Sequence, residues 1–201
     1  MKKFSILLIT VGLVIIAYSG FQWYETESAQ SESMSEAQSL LDVKEKTIKE
    51  TNPIQQVELA EEFSPVTGET VGLLHIPKLE ADLPIVEGTH EDDLAKGVGH
   101  YGGTAYPLQN DQIVLSGHRD TVFRRMGELE IGDILTLKLS YGDFFYKITK
   151  TQIVDADDRT IIVPHDEEVL TITTCYPFSF IGSAPDRYII TAMPVNKEIE
   201  K

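Results

Sequence analysis

From Phe4 to Tyr24 the chain runs for 21 residues without one charged side chain. As a helix rising about 1.5 Å per residue this stretch reaches roughly 31 Å, enough to cross a hydrocarbon core of about 30 Å. Lys2 and Lys3 precede it and predict a cytoplasmic tip, while Phe21, Trp23 and Tyr24 fit an aromatic belt at the outer interface. A cleaved signal peptide is the competing reading, with Ala17-Tyr18-Ser19 supplying small residues at a processing site. The length of the apolar run and its aromatic end favour a retained anchor. Both readings export the remainder, so the expected organisation is a tip and anchor over 1–24, a linker over 25–66, a folded domain over 67–194 and a polar tail over 195–201.

Beyond the anchor the composition shifts to Ser, Glu and Gln. Residues 25–65 carry ten acidic and three basic side chains, with too little apolar surface to order a core. A solvated spacer is expected here. Ala37, Leu40, Leu41 and Ile48 mark the one partly helical spacing, over Glu36–Glu50. The whole chain has a formal charge of −15, and a surface that acidic repels phosphate backbones, which argues against a nucleic-acid partner. A single cysteine excludes an intramolecular disulfide framework and a cysteine-based zinc cluster.

After Pro65 short apolar runs alternate with turn residues. Val71–Ile76, Leu83–Val86 and Gln112–Ser116 are strand-length and rich in branched side chains. Ile134–Leu139 and Phe145–Lys150 alternate with period two, and Val169–Thr174 and Tyr188–Ala192 complete the set. Helical patterns are short, at Asp92–Lys96 and Thr121–Glu128. Seven or eight strands in about 130 residues predict a mostly β fold, a closed barrel with a few short helices.

Three residues concentrate the chemistry. Cys175 closes an apolar run and precedes Tyr176-Pro177-Phe178, which ends the strand and puts the thiol near a loop. A lone cysteine is commonly a small buried hydrophobe. In an exported chain an unpaired thiol points instead to a reactive group. A thiol near pKa 8.5 needs an adjacent base or imidazolium to react at neutral pH. His118 follows the run Ile113-Val114-Leu115-Ser116-Gly117 and sits at a strand end as Cys175 does, with His100 in a Gly-rich loop as the rival. Arg187 opens the last strand, where a guanidinium could stabilise the oxyanion of an acyl transfer or simply pair with one of the many acids.

Thr171-Ile172-Thr173-Thr174-Cys175 resembles the Thr-Leu-x-Thr-Cys signature of the sortase family, with Ile in the second position. Ser116-Gly117-His118-Arg119-Asp120-Thr121 resembles that family's Gly-His motif, and Asp186-Arg187-Tyr188 falls where sortases carry their essential arginine. Gly72-Leu73-Leu74-His75-Ile76-Pro77-Lys78-Leu79 is similar to the strand that opens a sortase barrel. The resemblance is collinear over residues 67–194, and the short His-Arg-Asp-Thr segment is most like class D.

The resemblance implies an eight-stranded barrel and a membrane-bound cysteine transpeptidase. Its substrates would be secreted proteins with a Leu-Pro-x-Thr-Gly/Ala-like signal near the C-terminus, cut after Thr and passed to an amine of a cell-wall precursor, as fits a Gram-positive envelope. Cys175 would be the nucleophile, His118 the general acid and base, and Arg187 the oxyanion and substrate partner. Thr174 would orient the cysteine or the substrate through its hydroxyl. No cofactor is expected, calcium being left open, and no metal ligands are assigned. Two other readings stand beside this one. A peptidoglycan L,D-transpeptidase would show a Ser-x-Gly-Cys-Arg-like motif that this sequence lacks. A non-catalytic acidic module could hold Ca²⁺ in Asp155-Ala156-Asp157-Asp158, a cluster without the EF-hand loop.

Overall fold

A computed structural model describes residues 2–47, 52–179, 182 and 184–196. The helices are α1 (Lys2–Thr47), α2 (Pro53–Glu62) and α3 (Glu91–Lys96). The strands are β1 (Thr70–Ile76), β2 (Ala81–Glu87), β3 (Val98–His100), β4 (Gln112–Gly117), β5 (Ile134–Leu139), β6 (Gly142–Asp155), β7 (Val169–Tyr176) and β8 (Asp186–Val195). The strands close in the order β1-β2-β3-β4-β7-β8-β6-β5, so that no sheet edge is left open. Most neighbours are antiparallel, but β2 with β3 and β4 with β7 run parallel. The closed eight-stranded barrel expected from the sequence is therefore the fold.

Period-two alternation turns one face of each strand inward. Leu74, Ile76, Ile85, Ile113, Leu115, Leu135, Leu137, Leu139, Tyr146, Ile148, Leu170 and Ile172 fill the barrel interior, each at most 1% exposed. At about 25 cal/mol per Å² of apolar surface removed from water, each such side chain contributes roughly 1.5–3 kcal/mol before entropy is counted. The run Thr121–Glu128 forms turns and one 3-10 turn at Met126–Glu128 rather than a helix, since Phe123 and Met126 are drawn into the core individually.

The acidic stretch departs from a solvated spacer. Helix α1 continues without a break from the apolar segment to Thr47, and one face of it packs on β1, β2 and α3. Ser33 and Ala37 are buried, Thr26, Gln30 and Leu41 half-buried, a stripe at helical spacing. The Thr70 hydroxyl donates to Glu36 Oε2 at 2.6 Å, bonding the helix to the start of β1. Helix α2 begins at Pro53 with Asn52 as its cap, whose Oδ1 accepts from the Gln55 N–H at 2.9 Å. Ile48 and the tail beyond Asn196 lie outside the described residues.

Candidate active site

Strand register brings the three motif residues to one end of the barrel. In the antiparallel β7–β8 pair Cys175 lies opposite Arg187, and Thr174 opposite Tyr188. On the other side of β7, in parallel register, Thr174 pairs with Gly117, so His118 follows directly beyond the end of β4. Neighbouring strands are about 4.8 Å apart, which sets Cys175 between the histidine and the arginine. Cys175 and His118 are both half-buried, as a group must be to meet a substrate while keeping a fixed orientation. Arg187 Nη1 donates to the Asp186 and Ala184 carbonyls at 3.0 and 3.4 Å, which curls the guanidinium over the loop that leads into β8.

The alternation of β7 explains the direction of each side chain. Leu170 and Ile172 point into the core, and Thr174 continues that face at 4% exposure. Its hydroxyl donates to the Gly117 carbonyl at 2.7 Å, so it braces β4 against β7 one residue before His118 and one before Cys175. The hydroxyl expected to touch cysteine or substrate is thus directed at a neighbouring strand.

Close approach fixes the other side of this brace. A Cβ on Gly117 would stand 2.5 Å from Phe123 Cδ2 and 2.9 Å from Val122 Cγ2, so only glycine lets the segment after His118 fold back beneath it. Phe123 also donates its N–H to the His118 carbonyl at 3.0 Å. Arg119, which the sequence reading passed over, is buried and crosses to the segment after Cys175. Its Nη1 donates to the Pro177 carbonyl at 3.1 Å and its Nη2 to the Gly182 carbonyl at 2.6 Å. No local pattern marks such a residue, because its partners are 58 and 63 positions away.

His100 stands elsewhere. It pairs with Leu115, itself opposite Ile172, which puts it two strands and three positions from Cys175, roughly 14 Å away. Its ring is 1% exposed, with Nδ1 2.6 Å from Glu87 Oε2 and Nε2 3.0 Å from the Ala105 carbonyl. Tyr106 stacks on it at 4.0 Å and donates its hydroxyl to the same Glu87 oxygen at 2.6 Å. Burial works to raise the Glu87 pKa, but the hydrogen bonds from His100 and Tyr106 outweigh it and hold the carboxyl below its ordinary range. Burial and the Glu87 carboxylate push the Tyr106 phenol far up, so it stays a donor. This cluster ties β2, β3 and the following loop together.

The acidic cluster at 155–158 is a turn. Asp155 Oδ1 accepts from the Asp157 N–H, and Asp158 Oδ1 from the N–H and hydroxyl of Thr160, which holds the Asp158 carboxyl below its usual range. Among the described residues no group of three or more His, Cys, Asp or Glu side chains is arranged around a metal position.

Residues 74–195 match the model of the Sortase domain. The chain belongs to the sortase family. It is 52% identical over 190 residues to Sortase D of Bacillus subtilis strain 168, covering 94% of this chain and 96% of that one. It is 24% identical over 210 residues to Sortase A of Bacillus anthracis, with 98% and 95% covered. Among solved structures, the Clostridium perfringens Sortase D5 transpeptidase superposes with a TM-score of 0.67 at 24% identity, over 84% of this chain and 99% of that chain. The catalytic domain of SrtD from B. anthracis gives 0.57 at 45% identity, over 67% and 92%. Sortases are cysteine transpeptidases, and Cys175 is the only cysteine of this one. Membership sets aside the non-catalytic module and the separate class of L,D-transpeptidases. The sortase also has, in α1, a stretch long and apolar enough to cross a membrane, and none of that stretch is buried against the barrel.

Proposed function

We propose that this sortase is a single-pass membrane enzyme with its barrel outside the cell, and that it joins secreted proteins to a cell-wall precursor. The Cys175 thiolate attacks the Thr carbonyl of a Leu-Pro-x-Thr-Gly/Ala-like signal, forming a tetrahedral oxyanion. Arg187 holds that oxyanion and positions the signal peptide. Collapse breaks the C–N bond, His118 gives a proton to the departing amine, and a thioester remains on Cys175. The amine of the precursor then attacks the thioester, His118 takes its proton, and a new amide leaves as the thiolate is restored. A thioester retains the acyl-transfer energy, so no nucleotide is consumed. Calcium is not part of this reading.

The strand register carries the proposal: Cys175 opposite Arg187, with Thr174 bonded to the residue before His118. The half-buried setting of Cys175 and His118 supports it further, because partial exclusion of water favours an amine over hydrolysis. The test is to mix the enzyme with a Leu-Pro-x-Thr-x peptide library and follow intact mass. A thioacyl adduct on Cys175 that an added amine releases as a new amide is the expected result. A folded protein that forms no adduct, and whose thiol resists alkylation, would refute the assignment.

A further inference from the structure

The join between α1 and the barrel has no slack. The face of α1 that meets the barrel begins at Thr26 and continues through Gln30, Ser33, Ala37 and Leu41. Tyr24, the outer end of the apolar run, is only two residues before it, about 3 Å along the helix. A flexible linker would let the domain float tens of ångströms from its anchor. Here the helix stays unbroken through both functions. Side-chain size makes the contact close: Ser33 and Ala37, 2% and 0% exposed, let the helix axis approach β1, while Glu36 is bonded to Thr70 beside them.

The packing also decides which end of the barrel faces down. Gln22, Tyr24 and Glu25 line one wall of a cleft of about 800 Å³ whose other wall includes His118, Asp120 and Thr121. Gln22 and Tyr24 belong to the interfacial end of the apolar run, where aromatic side chains settle at the headgroups. The histidine therefore lies at the level at which α1 leaves the bilayer. Charge does not draw it there, since Glu25, Glu32, Glu91, Asp92 and Asp120 outnumber Lys96 in the cleft lining and leave it acidic. The rigid helix imposes the distance.

We propose that α1 is a rigid strut holding the His118 side of the catalytic cleft against the lipid headgroup layer, which fixes the height of the site above the bilayer. Among lipid-tethered sorting peptides, the enzyme then favours those with tethers of only a few residues. This rests on the anchored reading given under Proposed function. A short tether raises the effective concentration of the peptide only if the site lies within its span, and a site held too high sees almost none.

The full chain in phosphatidylcholine nanodiscs tests it. Cys175, the sole thiol, takes a maleimide donor, and a headgroup-labelled lipid serves as acceptor. Separately, the unlabelled enzyme is given a sorting peptide free in solution or joined to lipid through tethers of increasing length. Energy transfer should be strong, and the shortest tether should give the highest rate relative to free peptide. Insertion of seven polar helix-forming residues after Tyr24 lifts the barrel by about 10.5 Å while nearly keeping its face. That variant should show weaker transfer, and its ratio of short-tether to free-peptide rates should fall on the order of tenfold, with a long tether restoring it. Processing of only long-tethered peptides by the unaltered enzyme, or a ratio and transfer indifferent to the insertion, would overturn the strut. A chain that fails to enter discs would overturn the anchor and the strut together. Discs that load normally without the height effect would overturn the strut alone.

Discussion

Replacing Thr174 by Val asks whether its hydroxyl is a brace between strands or a contact with substrate. Val keeps the branched shape but removes the donor, leaving the Gly117 carbonyl without its 2.7 Å partner at a site 4% exposed. Losing one partner of a buried hydrogen bond costs about 1–3 kcal/mol. At about 2–4 °C per kcal/mol for a domain of this size, the melting temperature should fall by roughly 2–12 °C. Gly117 is bonded covalently to His118, and a misplacement of about 1 Å costs on the order of a hundredfold in rate. The expected kinetic result is therefore a kcat lowered by roughly ten- to a hundredfold with KM nearly unchanged, and recovery of both stability and rate in Thr174→Ser. The assay is thermal unfolding of the full chain in detergent, alongside steady-state transfer of a fluorogenic sorting peptide to an amine. A Val variant that melts like the parent, or one that raises KM alone and is not rescued by Ser, would refute the brace and return the hydroxyl to the substrate.

The other perturbations act on neighbouring parts of the same machinery. His118→Ala should abolish amine transfer while leaving the melt nearly unchanged, and surviving transfer would remove this histidine from the mechanism. Arg119→Met keeps the length of the side chain but loses the bonds to the Pro177 and Gly182 carbonyls; the loop after Cys175 should loosen, which limited proteolysis would report, and KM for the peptide should rise several-fold. Gly117→Ala sets a methyl 2.5 Å from the Phe123 ring, so a loss of about 1–3 kcal/mol is expected in denaturant unfolding, together with weakened turnover. Glu87 has a lower pKa folded than its ordinary 4.5, so its ionised form stabilises the barrel above that value and the contribution vanishes as pH falls through the folded one. The melting temperature of the parent should consequently drop more steeply as pH falls below about 4.5 than that of Glu87→Gln, and equal slopes would show that the carboxylate is not the linked group.

Seven strands were legible, two from period-two alternation and five as short branched apolar runs bounded by turn residues. β3 was not, since Val98-Gly99-His100 is too short for a period to show and contains a glycine; its place comes from pairing with β2 and β4. The candidate site was readable as three motifs at strand ends, and Cys175, His118 and Arg187 do share one end of the barrel. What distinguishes His118 from His100 is the seating of the His100 ring between the Glu87 carboxylate on the neighbouring strand and the Ala105 carbonyl in the following loop, which the residues beside either histidine do not announce. The direction of Thr174 was recoverable: Leu170 and Ile172 point inward, and continuing the alternation buries the threonine while turning Cys175 to the outer face.

The acidic segment beyond Tyr24 makes the sharper point. Its Ser, Glu and Gln content is that of a solvated chain, and hydropathy carries no helical stripe where Thr26, Gln30 and Ser33 meet the barrel. Two things hold it. The apolar segment has already paid the nucleation cost of a helix, so extension past Tyr24 adds one hydrogen bond per residue fixed. Small side chains at Ser33 and Ala37 then allow an approach that larger apolar ones would block, and a single carboxylate–hydroxyl bond at Glu36 sets the rotation. Shape and continuity leave little trace in composition. A Ser33→Leu substitution, more hydrophobic and more helix-favouring than the parent, should nevertheless separate the helix from β1, which a rise in amide exchange over residues 26–41 would reveal.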